Sequence, residues 1–365
     1  MIPLIDIALD KRQETEIKRK VIKVIDSKNY ILGESVKKFE QEFAKFIGVK
    51  YAIGVGNGTD ALRLSLRALG IGNGNKVLTV ALTSPFTAIA IIEEGAVPIF
   101  CDVDEKTWTI DPADVEKKVD KKTKAIIPVH LFGNPCDMNA ILKIAKDYNL
   151  RVIEDACQAH GAKFRGKMIG SFGDAGTFSF YPTKNLGAFG DAGIITTNDL
   201  KVAEMIKILR HGGQTKRFWH KYQGINSRLD EIQAAVLSVR LKYLEKENEK
   251  REKLAKKYKS ASSDLPIKFQ ETLHGARSAN HLFVFRTERR DKLQKFLTKN
   301  GVTTDVYYPY PVHLQPAFRE YVQSHLKNTE LLTKELLALP LYLNLKLKDQ
   351  KIIIEKIKLF FSKKY

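Results

Sequence analysis

Cysteine is scarce in this chain, and its placement excludes two kinds of site. The 365 residues include three cysteines, Cys101, Cys136 and Cys157, which form no Cys-x-x-Cys pair. A disulfide framework or a structural zinc site needs paired or closely spaced thiols. The sequence therefore predicts free thiols in a reducing compartment and no metal site.

Long apolar runs are absent as well. No segment approaches the roughly 18 consecutive apolar residues of a membrane span. The N-terminal Met-Ile-Pro-Leu-Ile-Asp lacks the basic and apolar regions of a signal peptide. These absences predict a soluble, cytoplasmic protein with no membrane partner.

Acidic residues are outnumbered by basic ones, 42 against 61, which gives a formal net charge of +19. Such an excess suits nucleic acid, a membrane surface or an acidic small molecule. No nucleic-acid-binding motif accompanies it, and many lysines lie in helical stretches such as 242–257. We therefore predict no nucleic-acid partner. We expect most of the basic residues to keep the protein soluble and a smaller share to attract an acidic ligand.

The order of apolar segments predicts an α/β protein. From about residue 12 to 245, strand-like runs alternate with helical stretches, which implies crossover connections and a mainly parallel sheet sandwiched by helices. A long charged helix follows at 241–257, and then a strand-like segment at 281–285. We predict a large domain at 1–245 and a smaller C-terminal α+β domain at 246–365.

Lys184 is the most informative residue. It lies in a small, glycine-flanked turn between a strand-like run at 176–180 and another at 192–197. A lysine desolvated at such a strand end has a lowered pKa, which frees its amine to attack a carbonyl group. The alternative is an ordinary surface lysine in a lysine-rich chain.

A second segment, 151–161, is a short apolar strand that ends in two acids. The carboxyl ends of strands in an open α/β sheet border the ligand crevice. A pyridoxal cofactor needs a carboxylate against its ring nitrogen, and Asp155 is the candidate. Gln158 is placed to reach the ring oxygen. The alternative for Asp155 is the N-cap of a helix.

The third segment, 51–61, reads as a strand, a glycine-rich turn and the start of a helix. Backbone N–H groups at a helix N-terminus form a phosphate cradle, and glycines let the chain approach closely. Thr59 replaces the third glycine of a dinucleotide fingerprint, and the Gly-Lys-Ser/Thr ending of a P-loop is missing. A left-handed turn that merely joins strand to helix is the alternative.

Together these segments resemble the DegT-type nucleotide-sugar aminotransferases, pyridoxal-phosphate enzymes with the aspartate aminotransferase fold. The resemblance covers nearly the whole chain. It is carried by residues 31–33, 57–62, 95–100 with Asp102, 128–133, the Asp155 and Lys184 segments, 224–235 and 308–316.

The resemblance implies a role for each matching residue. Lys184 would hold pyridoxal phosphate covalently and move the proton during transfer, while Asp155 would pair with the ring nitrogen. Gln158 would bond the ring oxygen. The phosphate would be bound by Gly58, Thr59 and Ser179, and by Asn226 of the other subunit, so the resemblance implies a homodimer with shared sites.

One position departs from the family pattern. The family often stacks an aromatic side chain on the cofactor ring from a Thr-aromatic pair, whereas here Thr83 is followed by Ser84. Phe86 is the candidate to stack instead, with ordinary core packing as the alternative. His160 is interpreted as a packed histidine rather than a proton carrier.

The resemblance also implies a substrate. It favours amino transfer from glutamate to C3 of a dTDP-linked 3-keto-6-deoxyhexose, with UDP-linked acetamido sugars and C4 ketones as alternatives. Residues of the family that come near the sugar or diphosphate match Tyr308, His313 and Gln315, with His211 and Tyr222 as weaker candidates. The alternative for the first three is packing at the domain junction.

Three further hypotheses remain. Dehydratases of this fold replace the Schiff-base lysine by histidine, and Lys184 argues against that reaction. A binding or regulatory protein that kept the fold without turnover, and a basic nucleic-acid binder, belong to different classes. Visible absorbance that changes on addition of glutamate separates an enzyme from both, and filter binding at moderate salt tests the nucleic-acid hypothesis.

Overall fold

The structure is a computed structural model that describes residues 1–322 and 324–362. Eight helices precede residue 242: α1 (Lys11–Ser27), α2 (Glu34–Ile47), α3 (Gly58–Ala68), α4 (Phe86–Glu93), α5 (Pro112–Lys118), α6 (Met138–Asp147), α7 (Leu200–Leu209) and α8 (Glu231–Leu241). The strands of this part are β1 (Tyr51–Val55), β2 (Lys76–Val80), β3 (Val97–Cys101), β4 (Thr123–Ile126), β5 (Arg151–Asp155), β6 (Lys163–Phe164), β7 (Lys167–Met168), β8 (Ala175–Ser179), β9 (Gly193–Thr197), β10 (Gln214–Lys216) and β11 (Trp219–His220).

Seven of these strands form the central sheet, in the order β1-β9-β8-β5-β4-β2-β3. All neighbours from β3 to β8 pair in parallel, and β9 pairs antiparallel with both β8 and β1. β9 is therefore the one strand of this sheet that runs against the others. The predicted mainly parallel sheet is confirmed.

Helices cover both faces of the sheet because successive strand residues point to opposite sides. In β2, Leu78 and Val80 pack in one core with α2, α6 and α8, while Val77 packs in the other with α3, α4 and α7. The strands are buried on both faces, which explains why their sequences are apolar without polar alternation. The predicted sandwich of helices is thus also confirmed.

The C-terminal part forms a smaller α+β unit with a core of its own. Its strands are β12 (Lys268–Phe269), β14 (Phe283–Arg286) and β15 (Leu336–Leu339), and its helices are α9 (Leu244–Ala261), α10 (Arg290–Lys299), α11 (Lys327–Glu335) and α12 (Leu347–Ser362). The short strand β13 (Ala276–Arg277) pairs instead with β6 of the large part. Short 3-10 turns lie at Leu131–Gly133, Val312–Leu314 and Pro316–Tyr321. β12, β14 and β15 make an antiparallel sheet whose core includes Phe285, Leu293 and Ile353.

Helix α9 connects the two parts. Leu244 packs in the core beneath the large sheet, whereas Leu254 and Tyr258 pack in the C-terminal core. Ile2 also contacts the C-terminal unit, through an isolated parallel β-bridge with Val302. The domain boundary at residue 245 stays a prediction. The predicted small domain also includes residues 363–365, which lie outside the described part of the chain. Within the described residues, no helix combines the length and apolarity needed to cross a bilayer.

Candidate active site

The site forms where strands of the large sheet end. Asp155 is the last residue of β5 and Ser179 is the last of β8, and these strands are parallel neighbours with Asp155 opposite Thr177. Across β9, Gly193 is opposite both Ser179 and Val55, the last residue of β1. The register therefore places the turn after β1 beside the ends of β5 and β8.

Lys184 lies in the turn that follows β8. Its backbone N–H donates to the carbonyl of Tyr181 at 2.9 Å, and Ala188 N–H donates to Phe180 O at 2.7 Å, which closes the turn. The side chain is half-buried. Burial lowers the pKa of its amine below the ordinary 10.5, although Cys157 and Asp155 act in the opposite direction. An open surface position, the alternative considered for Lys184, is therefore wrong.

Asp155 is 6% exposed and both of its carboxylate oxygens accept hydrogen bonds. The Thr87 hydroxyl donates to Oδ2 at 2.8 Å, and the N–H of Cys157 donates to Oδ1 at 3.2 Å. No helix starts after β5, since the chain continues in turns to β6. The helix N-cap alternative for Asp155 is therefore wrong, and the carboxylate is held within the site.

Gln158 connects two parts of the chain. Its Oε1 accepts from the N–H of Phe132 at 2.8 Å, and its Nε2 donates to the hydroxyl of Tyr308 at 2.7 Å. The rings of Phe132 and Tyr308 stack with centroids 6.1 Å apart. Burial raises the pKa of the Tyr308 phenol, so it stays protonated. Tyr308 thus lies against a residue predicted to contact the cofactor.

The turn after β1 leads directly into helix α3. Asn57 caps the helix, because its side chain accepts from the N–H of Asp60 at 2.8 Å. A Cβ added to Gly58 would lie 2.8 Å from Ser179 Cβ and 2.9 Å from Cys157 Sγ. Neither Gly56 nor Gly58 has a positive φ, so the left-handed turn alternative is wrong. Gly58 is required for close approach, because α3 begins directly against Ser179.

Two neighbours of the site have chemistry of their own. The Cys157 thiol lies near Lys184 and Asp155, and burial raises its pKa. His160 packs between Phe178 and Phe180, with ring centroids 5.5 and 5.6 Å away. Burial lowers the pKa of His160 to about 3, so the ring is neutral. This position matches the packed histidine interpretation.

The structure changes the interpretation of Phe86. This residue opens helix α4 and is 57% exposed, so the core-packing alternative is wrong. Its ring is free to meet a ligand, and stacking on a cofactor ring stays a prediction. Thr59 and Ser179 are partly buried beside the turn, as a phosphate site requires.

Three predicted residues lie on an exposed segment after α7. Asn226 and His211 form an isolated antiparallel β-bridge, and both residues are exposed. Tyr222 is at the surface, with the Lys221 amine 5.6 Å from its ring centroid. Their predicted roles with phosphate and substrate stay predictions.

His313 lies in the first of two 3-10 turns that precede α11, and Gln315 lies between the two turns. His313 is 1% exposed, with Nε2 3.3 Å from Glu330 Oε1, and burial lowers its pKa. Gln315 is partly buried and donates to Tyr310 O at 3.0 Å. The burial of His313 favours the packing alternative, whereas the substrate role of Gln315 stays a prediction.

Sequence reasoning missed Thr87, which binds the Asp155 carboxylate from helix α4. A polar residue in the otherwise apolar first turns of Phe-Thr-Ala-Ile-Ala-Ile-Ile was the available signal. It also missed Asp60, which accepts from Ser227 Oγ at 2.7 Å while that hydroxyl accepts from Gly56 N–H at 2.9 Å. This pair holds the turn before α3.

Comparison with known proteins identifies relatives over the whole length. The chain is 45% identical to a "Pleiotropic regulatory protein" of Geobacillus stearothermophilus, over 99% of this chain and 98% of that protein. It is 42% identical to the "dTDP-3-amino-3,6-dideoxy-alpha-D-galactopyranose transaminase" of Aneurinibacillus thermoaerophilus, over 93% and 94%. The solved structure of S. venezuelae DesV in complex with a ketimine intermediate superposes with a TM-score of 0.97 at 39% identity, covering 100% of this chain and 99% of that one.

The family comparison agrees with the arrangement of Lys184, Asp155 and the α3 turn. Residues 11–358 match the DegT/DnrJ/EryC1/StrS aminotransferase family. The match takes in every residue of the site described above, and the predicted resemblance and fold type are confirmed. This chain belongs to the DegT/DnrJ/EryC1/StrS aminotransferase family.

Proposed function

We propose that this aminotransferase binds pyridoxal phosphate and transfers an amino group from glutamate to C3 of a dTDP-linked 3-keto-6-deoxyhexose. The observation that carries the proposal is the convergence of three features at one edge of the sheet. These are the half-buried Lys184 with a lowered pKa, the buried Asp155 carboxylate, and the N-terminus of α3 against Ser179.

The residues present fit pyridoxal phosphate. The close contact of Gly58 with Ser179 leaves room for backbone and hydroxyl donors but for no extra side chain, as a phosphate cradle requires. An amine and a carboxylate lie near enough to interact electrostatically. These groups match the aldehyde and the ring nitrogen of the cofactor, which lie on opposite sides of its ring.

Pyridoxal phosphate, when bound, supplies an electron sink for the bonds that break at the amino-bearing carbon. Lys184 would hold the cofactor, yield to the donor amine, and then carry the proton between carbon atoms as a general base and acid. Asp155 would keep the ring nitrogen protonated. Gln158, fixed by Phe132 and Tyr308, would present its amide to the ring oxygen.

The substrate is proposed from the relatives and from the charge. The Aneurinibacillus relative is named for a dTDP-3-amino-3,6-dideoxy sugar, and its aligned region spans 93% of this chain. A net charge of +19 suits a diphosphate-linked ligand. UDP-linked and C4-keto sugars are the competing acceptors, and a panel of nucleotide-linked keto sugars read by mass distinguishes them.

A homodimer with shared sites and a cytoplasmic location belong to the same proposal. Asn226 is exposed in the single chain and so is available to a second subunit. The three cysteines are free thiols, which fits a reducing compartment.

One observation favours a second candidate, a regulatory role. The relative at 45% identity is named a pleiotropic regulatory protein. A purely regulatory protein has no need of a lysine with a lowered pKa facing a buried carboxylate, so the site favours the enzyme.

The deciding experiment treats purified protein with pyridoxal phosphate, then with borohydride, and maps the modified peptide. We expect visible absorbance, reduction onto Lys184, and a spectral change on addition of glutamate. Lys184→Ala should keep non-covalent cofactor binding and lose turnover, whereas the exposed-lysine control Lys121→Ala should behave like the parent. A parent protein that stays colourless and unreactive contradicts the proposal.

A further inference from the structure

The Asp155 carboxylate is held by donors from two separate elements. Thr87, in the first turn of α4, donates its hydroxyl to Oδ2 at 2.8 Å, and the Cys157 N–H donates to Oδ1 at 3.2 Å. Thr87 is 1% exposed, so water does not compete for that hydroxyl. The carboxylate is thus fixed by one bond on each oxygen.

The Thr87 hydroxyl makes its contact across the fold rather than within its own helix. Thr87 is the second residue of α4, so no earlier turn of that helix offers a carbonyl to its hydroxyl. Its hydrogen is donated to Asp155, which is 68 residues away in the sequence. A hydroxyl has a single hydrogen to donate, so this contact uses the whole donor capacity of Thr87.

One consequence follows for the carboxylate. With one donor on each oxygen, rotation of its plane would break at least one bond, and the remaining lone pairs point in fixed directions. A carboxylate held in one orientation is what a protonated ring nitrogen requires of its partner.

We propose that Thr87 is a positioning residue that aims the Asp155 carboxylate at the ring nitrogen of the cofactor. The inference rests on the proposed function. It predicts that the protonation state of that nitrogen depends on a hydroxyl group that does not touch the cofactor's reacting atoms.

The test compares four variants using pyridoxal phosphate labelled with ¹⁵N in its ring. Thr87→Val keeps the volume and removes the hydroxyl, whereas Thr87→Ser restores it. Thr79→Val is the matched control, because Thr79 is fully buried and its hydroxyl donates to Ile127 O at 3.0 Å. Asp155→Asn defines the signal of an unprotonated ring nitrogen.

Solid-state NMR of the bound label should show the Thr87→Val signal displaced from the parent value toward that of Asp155→Asn. The Kd for pyridoxal phosphate should rise about tenfold, the size expected for one hydrogen bond to a charged group. Thr87→Ser should return both values to those of the parent. Thr79→Val should lower the thermal midpoint and leave the nitrogen signal unchanged.

The inference is overturned if Thr87→Val gives the parent signal, or if Thr79→Val moves it equally. Should Thr87→Val not fold, Thr87→Cys serves instead, since a thiol is a weak donor and should displace the signal in the same direction. If the parent protein does not bind the labelled cofactor, both the proposed function and this inference are contradicted. If the parent binds it and Thr87→Val gives the same signal, only the role of Thr87 is contradicted.

Discussion

The proposed role of Lys184 depends on its protonation state, which its surroundings control. Burial lowers the pKa of the amine from 10.5, so a neutral, nucleophilic form is present at lower pH than for a free lysine. In the unfolded chain the amine regains its ordinary value. The folded protein therefore presents the neutral amine at a lower pH than a free lysine does.

We expect the rate of covalent attachment of pyridoxal phosphate to the apo-protein to rise with pH and to level off below pH 10.5. The amine must lose its proton to attack, and its pKa is lowered. Absorbance after rapid mixing measures the rate, with Nα-acetyl-lysine as the reference. A pH profile that follows the reference would contradict the lowered pKa.

His160 gives a second prediction, about acid stability. Its pKa is lowered by burial, and also by the charge of Lys184, from 6.5 to about 3. Between these values the unfolded chain binds a proton that the folded chain does not, so stability falls as pH decreases through this range. The apolar substitution His160→Leu removes that contribution.

Urea unfolding at pH 7 and pH 4.5 measures the effect. The loss of unfolding free energy between the two pH values should be smaller in His160→Leu than in the parent, by about 2 kcal/mol. The exposed His274→Leu serves as the control and should keep the parent's difference. Equal losses in parent and His160→Leu would show that His160 is not neutral in the fold.

At the scale of elements, the turn between β1 and α3 depends on Gly58. Its φ is not positive, so the turn needs the small size of glycine and not its backbone freedom. Gly58 is needed because α3 starts against Ser179 and Cys157. An added methyl group must push the helix start away from β8. Overpacking of this kind costs about 1–3 kcal/mol, and here it would also displace the proposed phosphate donors.

Gly58→Ala should therefore weaken binding of pyridoxal phosphate by about tenfold or more, measured by absorbance titration of the apo-protein. The control is Gly190→Ala, where a Cβ would meet only the flexible Gln233 side chain, at 3.1 Å. That variant should bind as the parent does. Unchanged affinity in Gly58→Ala would mean that the cradle lies elsewhere.

The order of strands and helices also explains which site residues could be predicted from the sequence. The positions of Asp155 and Gly58 were predictable because Asp155 ends an apolar strand and the Gly58 turn follows one, and strand ends of an α/β sheet border the ligand crevice. Ser179 was named from the family resemblance alone. Thr87 was not predictable, because its bond joins residues 68 positions apart in the sequence; the polar residue at the start of an apolar helix marks the position but not the partner.

His313 shows the opposite difficulty. The family resemblance named it as a substrate candidate, with packing at the domain junction as the alternative, and it is 1% exposed, because the 3-10 turn and Glu330 enclose it. Burial depends on the packing of segments distant in sequence. Residue type and spacing alone therefore do not reveal whether the His313 side chain is buried.

At the scale of the whole molecule, the proposed site needs two subunits. Lys184 would come from one and Asn226 from the other. In a mixed dimer of Lys184→Ala with Asn226→Ala, one site carries both defects and the other carries neither. Closed two-fold symmetry makes this arrangement possible.

Refolding the two variants together should restore roughly a quarter of the parent activity, since about half of the dimers are mixed and each has one intact site. Turnover of the keto sugar measures it, and each variant refolded alone is the control. No gain on mixing would place both residues in the same subunit's site.

The bond between Gln158 and Tyr308 has a mechanical consequence. Gln158 belongs to the part of the chain built on the large sheet, and Tyr308 follows β14 and α10 of the C-terminal unit. Tyr308 also has a left-handed backbone, with φ of 60°, so its position is tightly specified. Any swing of the C-terminal unit away from the large sheet must pull on the amide of Gln158, and through it on whatever that amide holds.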